Sequence, residues 1–307
     1  MKLVLFAYGT VGLECVKYIN SKNLNTLIVL PPNDDGLDGH FKSVKKFVID
    51  NDLPYIQPNS MNNEILFQTL LDFNPNASFS CYFPLIIPNN ILSIFKEGSF
   101  NLHGAILPDY RGTFSGVWSL INDEKYAGST IHYMNENIDT GDIVEVKKCE
   151  IDINDTGYTL YEKTSMLSIS LFKKYCNKLI NGEKISGFPQ NLKDGNYYPR
   201  KLPYEGKINW SWSSNKIGNF CRALNFPPFK SATTVVNGKE IEIIRVKSLK
   251  FKSVSSPGHF YFKDDKLHVS TSTNELLIDE IKFSDKLLSS GEVRNFFDST
   301  EGIFGDN

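Results

Sequence analysis

The chain has 307 residues, 41% of them hydrophobic and 22% charged, and 33 basic against 35 acidic side chains leave a net charge of −2. That length accommodates one large core with a smaller domain, or two medium ones, and the balanced composition excludes a disordered chain. So small a charge supplies no broad positive field, and nucleic acid is not the expected partner, although a local basic patch is compatible with it.

Five dispersed cysteines (15, 81, 149, 176 and 221) with no CxxC pair fit reduced, structural thiols in a cytoplasmic protein. The opening MKLVLFAYGTVG is not a signal peptide, because strand and turn signals arrive within ten residues. No apolar run reaches the length needed to span a bilayer, so no membrane partner is expected.

Taken in order, KLVLFAY (2–8) reads as an apolar strand, followed by Gly9, Gly12 and a helix with Val11, Cys15, Val16 and Ile19 on one face. The GxxG falls short of a dinucleotide fingerprint; it places the helix start near an anion or substrate, or else serves tight packing. A second strand is expected at 26–31, helices at 44–50 and 62–73, a short strand at 53–58 and a buried strand at 77–83. PLIIP (84–88) is an apolar loop between prolines, which packs or grips something flat. A short helix at 90–96 leads into FNLHG. Alternating strands and helices point to a parallel or mixed sheet covered on both faces.

Further on, 144–152 reads as a strand, and Asp155-Thr156 cap a helix from about 158 to 180 whose Leu160, Met166, Leu167, Leu171 and Phe172 supply the apolar side. The Gly/Pro/Asn/Tyr-rich stretch over 181–206 reads as a surface linker. A helix over 214–224 and several short strands follow, with a turn at Asn237-Gly238, and these suggest a small barrel or open sheet. SSGEVRNFF (289–297) reads as a final helix before a frayed end.

Chemistry concentrates in residues 99–143. Asn101 and His103 stand two apart in a strand and so face one side, and the turn ENIDTGD brings Asp139 and Asp142. Five histidines without an HxH, HExxH or Cys/His cluster argue against a metal site. No GxSxG elbow or P-loop lysine motif is present. His132, alternating within its strand, reads as a packed histidine. His103 is open between a satisfied core histidine and a catalytic one.

FNLHGAILPDYRG followed by GSTIHYMNENIDTGDIV closely resembles the formyltransferases that use 10-formyltetrahydrofolate. VLFAYGTVG, FSCYFPLIIPNNIL and the YYPRKLPYEGKINWSWS join extend the resemblance over roughly residues 1–245. It implies a Rossmann-like α/β domain with a mostly parallel sheet and flanking helices (1–183), a linker (184–206) and a smaller β-rich domain, OB-like or an open sheet (207–307). It also implies N10-formyltetrahydrofolate as formyl donor, no metal, and a catalytic trio of Asn101, His103 and Asp139. In that trio Asn101 and a protonated His103 would donate to a developing oxyanion. His103 is also the natural group to take the amine's proton, and Asp139 would orient its ring. The folate pterin would meet Tyr82, Phe83, Leu85 and Ile86, with Ile138 and Asp142 closing the other side. Tyr8, Gly9, Thr10, Arg111 and Thr113 would meet the acceptor, Arg111 pairing with a phosphate or bracing its loop.

Within this family the low charge and the GTFSGVW loop after Arg111 favour a nucleotide-linked amino sugar over initiator tRNA. The expected acceptor is a dTDP-4-amino-4,6-dideoxyhexose used in O-antigen or another surface polysaccharide. UDP-4-amino-4-deoxy-L-arabinose and methionyl-tRNA are the alternatives inside the family. Outside it stand a formyl-folate hydrolase and a non-catalytic folate- or nucleotide-binding protein. A homodimer through the β-rich part is compatible with the sequence.

Overall fold

The computed structural model describes residues 1–284, 286–294, 297 and 299–305, and the chain separates into two compact units. The first comprises Met1–Ser115, Ala127–Cys149 and Tyr161–Pro199; the second comprises Gly116–Tyr126, Glu150–Leu160 and Arg200–Asn307. No helix among the described residues is long and apolar enough to cross a membrane.

In the first unit the elements run β1 (Lys2–Ala7), α1 (Gly9–Ser21), β2 (Asn25–Val29), α2 (Val44–Asp50), β3 (Tyr55–Ile56), α3 (Glu64–Phe73), β4 (Ala77–Cys81), α4 (Asn89–Leu92), β5 (Ser99–His103) and β6 (Arg111–Gly112). Next in the chain is α5 (Ser115–Ile121), in the second unit from its second residue on, and then β7 (Tyr126–Tyr133), β8 (Ile143–Glu150), α6 (Gly157–Ile180) and β9 (Tyr197–Tyr198), which lie wholly or mostly in the first. The main sheet has the order β3-β2-β1-β4-β5-β7-β8, parallel from β3 through β5, with β7 antiparallel to β5. This is the Rossmann-like, mostly parallel sheet with flanking helices that the sequence implied.

Local signals explain several boundaries. The Ser43 and Asn63 side chains accept from the backbone N–H groups of Lys46 and Leu66, closing the N-termini of α2 and α3. A Cβ on Gly12 would lie 2.9 Å from the carbonyl carbon of Ala7, so this glycine lets α1 lie tightly on β1, the packing reading of the GxxG.

One sheet face buries Leu3, Leu5, Phe79, Cys81, Phe100, Leu102 and Ile131 against residues of α1, α2 and α6. The opposite face is apolar at Val4, Phe6, Leu27 and Val29, packed with Leu66 and Leu70 of α3. Across β4, β5 and β7 that same face turns polar: Ser78, Ser80, Ser99, Asn101, His103, Thr130 and His132.

Some expectations change. Strand β4 stops at Cys81, because Tyr82 turns into the left-handed region at φ 55. The loop expected after Gly112 holds α5. Helix α4 closes at Leu92 rather than continuing to 96. Met166, expected on the apolar side of α6, is 63% exposed; Thr164, Ser165 and Ser168 around it are buried, and the Ser168 hydroxyl bonds those of Tyr82 (3.1 Å) and Ser129 (2.7 Å). The stretch read as a linker carries β9, parallel to β6, and Phe188 bridges Ile143.

The second unit contains α7 (Ser214–Leu224), capped by Ser213, and the strands β10 (Ala232–Val236), β11 (Lys239–Lys252), β12 (His259–Lys263), β13 (Lys266–Val269), β14 (Asn274–Phe283), β15 (Lys286–Ser289) and β16 (Glu301–Ile303), with α8 (Ser290–Val293) between the last two. Its antiparallel sheet has the order β10-β11-β14-β13-β12-β16, with β15 added on β14. Asn237 and Gly238, at φ 49 and 71, make the tight hairpin turn expected between β10 and β11. Register shifts along β11 mark irregularities that go with strong twist. Ile241, Ile243, Phe260, Leu267, Val269, Leu276 and Ile278 fill its core. Helix α8 ends at Val293, and residues 295 and 296 of the expected final helix lie outside the described residues.

Candidate active site

The strand order reverses at β1, with β2 on one side and β4 on the other. Open α/β sheets bind ligands in the crevice beyond the carboxyl ends of the strands at such a switch point. The carboxyl ends of β1 and β4 are tied together there by Tyr8 N donating to Cys81 O (3.2 Å), and β5 ends beside them with Asn101 and His103.

Asn101 and His103 share a face of β5, and the register sets His132 of β7 opposite Asn101 and Thr130 opposite His103. Asp139 arrives from the turn after β7, itself in the left-handed region at φ 54. Its carboxylate is the hub. Oδ2 accepts from Gly112 N (2.9 Å) and lies 3.5 Å from His103 Nδ1. Oδ1 accepts from Asn101 Nδ2 (3.2 Å) and lies 3.4 Å from His132 Nε2. Burial works against the charge, but the facing imidazole of His103 and the Gly112 amide outweigh it and hold the Asp139 carboxyl well below the usual carboxylate range.

Both nitrogens of His103 face acceptors. Nε2 is 2.8 Å from the Tyr110 carbonyl oxygen and Nδ1 looks at Asp139, so the ring satisfies both only when it carries both protons. Asn101 has also committed its nitrogen: Nδ2 donates to Asp139 Oδ1 and lies 3.1 Å from His132 Nε2. An Asn101 that donates to an oxyanion must release one of these bonds first.

The supporting loop explains two further residues. Gly112 has φ 95, and a Cβ there would sit 2.1 Å from Tyr198 O, so only glycine lets β6 lie against β9 while turning its amide to Asp139. Gln190 Nε2 donates to Asp139 O (3.0 Å) and Gly141 O (2.6 Å), clamping the DTG turn from behind. Neither Gln190 nor His132 stood out as a functional residue in the sequence. Gln190 lies in a stretch that reads as linker, and finding His132 beside Asn101 requires the β5–β7 register.

The other expected site residues fall into separate groups. Tyr82 and Phe83 turn inward: the Tyr82 hydroxyl reaches Ser168, burial pushes its phenol up, and Phe83 packs edge-on to Phe6. Leu85, Ile86 and Ile138 are 36%, 68% and 40% exposed, and Asp142 is exposed beyond them in sequence. Tyr8 precedes α1 and its hydroxyl accepts from Asn33 (3.2 Å); Gly9, at φ 62, and Thr10 open that helix. Arg111 donates to Leu192 O (3.3 Å) and Gly195 O (3.0 Å), and Thr113 to Pro199 O (3.1 Å), so both brace segments of the chain around β9. No group of three or more His, Cys, Asp or Glu side chains able to hold a metal occurs among the described residues.

An Asn/His/Asp constellation thus lies at the carboxyl edge of the switch region of a mostly parallel sheet. Residues 1–174 match the formyl transferase family and residues 202–296 its C-terminal domain, and the chain belongs to that family. Among curated relatives, the bifunctional polymyxin resistance protein ArnA of Wigglesworthia glossinidia brevipalpis is 34% identical over 84% of this chain, which spans only 39% of that relative's length. The GDP-perosamine N-formyltransferase of Brucella melitensis is 36% identical over 58% of this chain and 68% of its own. The methionyl-tRNA formyltransferase of Clostridioides difficile is 30% identical over 93% of both. The fold is shared with the N-formyltransferase of Helicobacter canadensis solved with folinic acid and dTDP-3-aminofucose, at TM-score 0.71, 24% identity, and coverage of 91% of this chain and 98% of that one.

Proposed function

We propose that this enzyme transfers the formyl group of N10-formyltetrahydrofolate to the primary amine of a nucleotide-linked 4-amino sugar, a dTDP-4-amino-4,6-dideoxyhexose, and yields a formamido sugar. The observation that carries the reading is the Asp139 carboxylate, which gathers Asn101, His103 and His132 beside the ends of the central strands. Formyl transfer to an amine needs a donor for a developing oxyanion and a group that takes the amine's proton. Asn101 fills the first role and His103 the second, through an Nε2 that has given up its hydrogen, while Asp139 orients the imidazole through Nδ1. His103 exchanges its contact with Tyr110 O for the reacting groups as they arrive.

The exposed apolar side chains Leu85, Ile86 and Ile138 suit the flat pterin, while inward-turned Tyr82 and Phe83 fix the loop that presents Leu85 and Ile86. With Arg111 bound to carbonyls, the acceptor's phosphates fall to Tyr8, Gly9 and Thr10 at the start of α1, or draw Arg111 away from its loop. The net charge of −2 and the GTFSGVW loop support a sugar acceptor, as does the kinship with a GDP-perosamine enzyme. A second reading, formylation of methionyl-tRNA, draws on the match to a methionyl-tRNA formyltransferase over 93% of both chains.

Mass spectrometry decides between them. The protein is incubated with N10-formyltetrahydrofolate and, separately, with dTDP-, UDP- and GDP-linked 4-amino sugars and initiator methionyl-tRNA. The expected result is a gain of one CO on the dTDP sugar. A gain on UDP or GDP sugars alone would move the assignment to another base, and a gain on the tRNA alone would overturn the sugar reading.

A further inference from the structure

We propose that His132 is a positioning residue for Asn101: its Nε2 lone pair and Asp139 Oδ1 hold the two hydrogens of the Asn101 amide and fix which way that amide faces. The inference rests on the reading above in that it gives Asn101 a part in formyl transfer, but its geometry stands apart from the identity of the acceptor.

Hydrogen-bond valence carries the argument. An ionised Asp139 carboxylate only accepts, so the amide atom 3.2 Å from its Oδ1 is the nitrogen of Asn101 and not the oxygen. The same nitrogen lies 3.1 Å from His132 Nε2, nearer to it than Asp139 Oδ1 at 3.4 Å, and an amide NH2 cannot accept, so this shorter contact is a hydrogen bond only with a lone pair on Nε2. The other ring nitrogen agrees: His132 Nδ1 is 2.8 Å from Tyr133 O, a carbonyl that only accepts, and therefore carries the hydrogen. The ring is 2% exposed on a strand whose register sets it directly opposite Asn101. Four groups in a closed arrangement thus specify one tautomer of His132 and one orientation of Asn101.

The two acceptors are unequal. A hydrogen bond to a carboxylate is charge-assisted and stronger than one to a neutral imidazole nitrogen. The hydrogen aimed at Asp139 is therefore the fixed one, and the hydrogen aimed at His132 is the one Asn101 can release toward an oxyanion. An apolar side chain in place of His132 would leave that hydrogen without an acceptor and the amide free to rotate.

The test combines spectroscopy and kinetics. Long-range 1H–15N correlation spectra of the wild-type imidazoles should show His132 as the Nδ1–H tautomer; an Nε2–H tautomer would overturn the proposal. His132→Asn keeps a donor for Tyr133 O but places nothing at Nε2, and should lower kcat roughly 10- to 100-fold with KM for donor and acceptor little changed. His132→Gln restores an acceptor oxygen near Nε2 and should recover most of the rate. In an Asn101→Ala background His132→Asn should cost nothing further, whereas a merely structural role would give additive losses. Full kcat in His132→Asn, or additivity in the cycle, would refute the coupling. A wild-type protein inactive on every acceptor would count against the formyl-transfer reading and leave the tautomer to decide this one.

Discussion

The two faces of the main sheet are made by the same strands and do opposite things. On one, Phe79, Phe100, Leu102 and Ile131 join a mainly apolar layer packed with residues of α1, α2 and α6, broken at Ser129, whose hydroxyl bonds Ser168 (2.7 Å). On the other, moving from β1 to β7, Val4 and Phe6 give way to Ser78, Ser80, Asn101, His103, Thr130 and His132. Buried polar groups are tolerated only when each finds a partner. Here they find one another: Ser78 Oγ donates to Ser99 Oγ (2.9 Å), Thr130 Oγ1 to Ala105 O (2.6 Å), and Asn101 and the histidines converge on Asp139. The first face holds the fold and the second holds a constellation that depends on it.

Breaking either face should separate the two roles. The largest effect on stability belongs to the apolar face: Phe100→Ala, at a fully buried ring packed on Phe79 and Tyr133, should cost about 3–5 kcal/mol in denaturant unfolding, with the rate per folded molecule largely kept. A smaller stability loss, with a disproportionate loss of activity, is expected from Gly112→Ala. Its Cβ meets Tyr198 O and its φ of 95 strains any other residue at about 1–3 kcal/mol, while the amide bonded to Asp139 is displaced.

The smallest effect is on pH dependence. The folded Asp139 carboxyl stays charged to lower pH than an unfolded one, whose ordinary value is about 3.9. Below that value the unfolded chain binds the extra proton, so the stability contributed by Asp139 is present above it and is lost as pH falls toward the folded value. Asp139→Asn should flatten the acid side of the unfolding curve, and an unchanged slope would place the coupling elsewhere.

How much of this the sequence revealed follows from what periodicity encodes. The β1–α1 opening, α2 over 44–50 and α7 over 214–224 were legible because apolar runs and cap residues are local signals. The shared face of Asn101 and His103 was legible because strand side chains repeat every two residues. His132 lies 31 residues beyond Asn101, and only inter-strand register, which no local pattern states, brings them together. Gln190 was hidden in a polar, glycine-rich stretch. On α6 an exposed Met166 beside a buried Ser168 reversed the usual inference from residue type, because the hydroxyl of Tyr82 needed a partner.

The central claim is that the Asp139 cluster performs formyl transfer, and single-turnover kinetics of Asp139→Asn and Asn101→Ala test it most directly. Each is compared with wild type on whichever acceptor the wild-type enzyme formylates, at equal folded fraction by circular dichroism. Each variant should fold near-normally and lose about 10²- to 10⁴-fold in the rate of formyl transfer. Rates within a few-fold of wild type in both folded variants would contradict it.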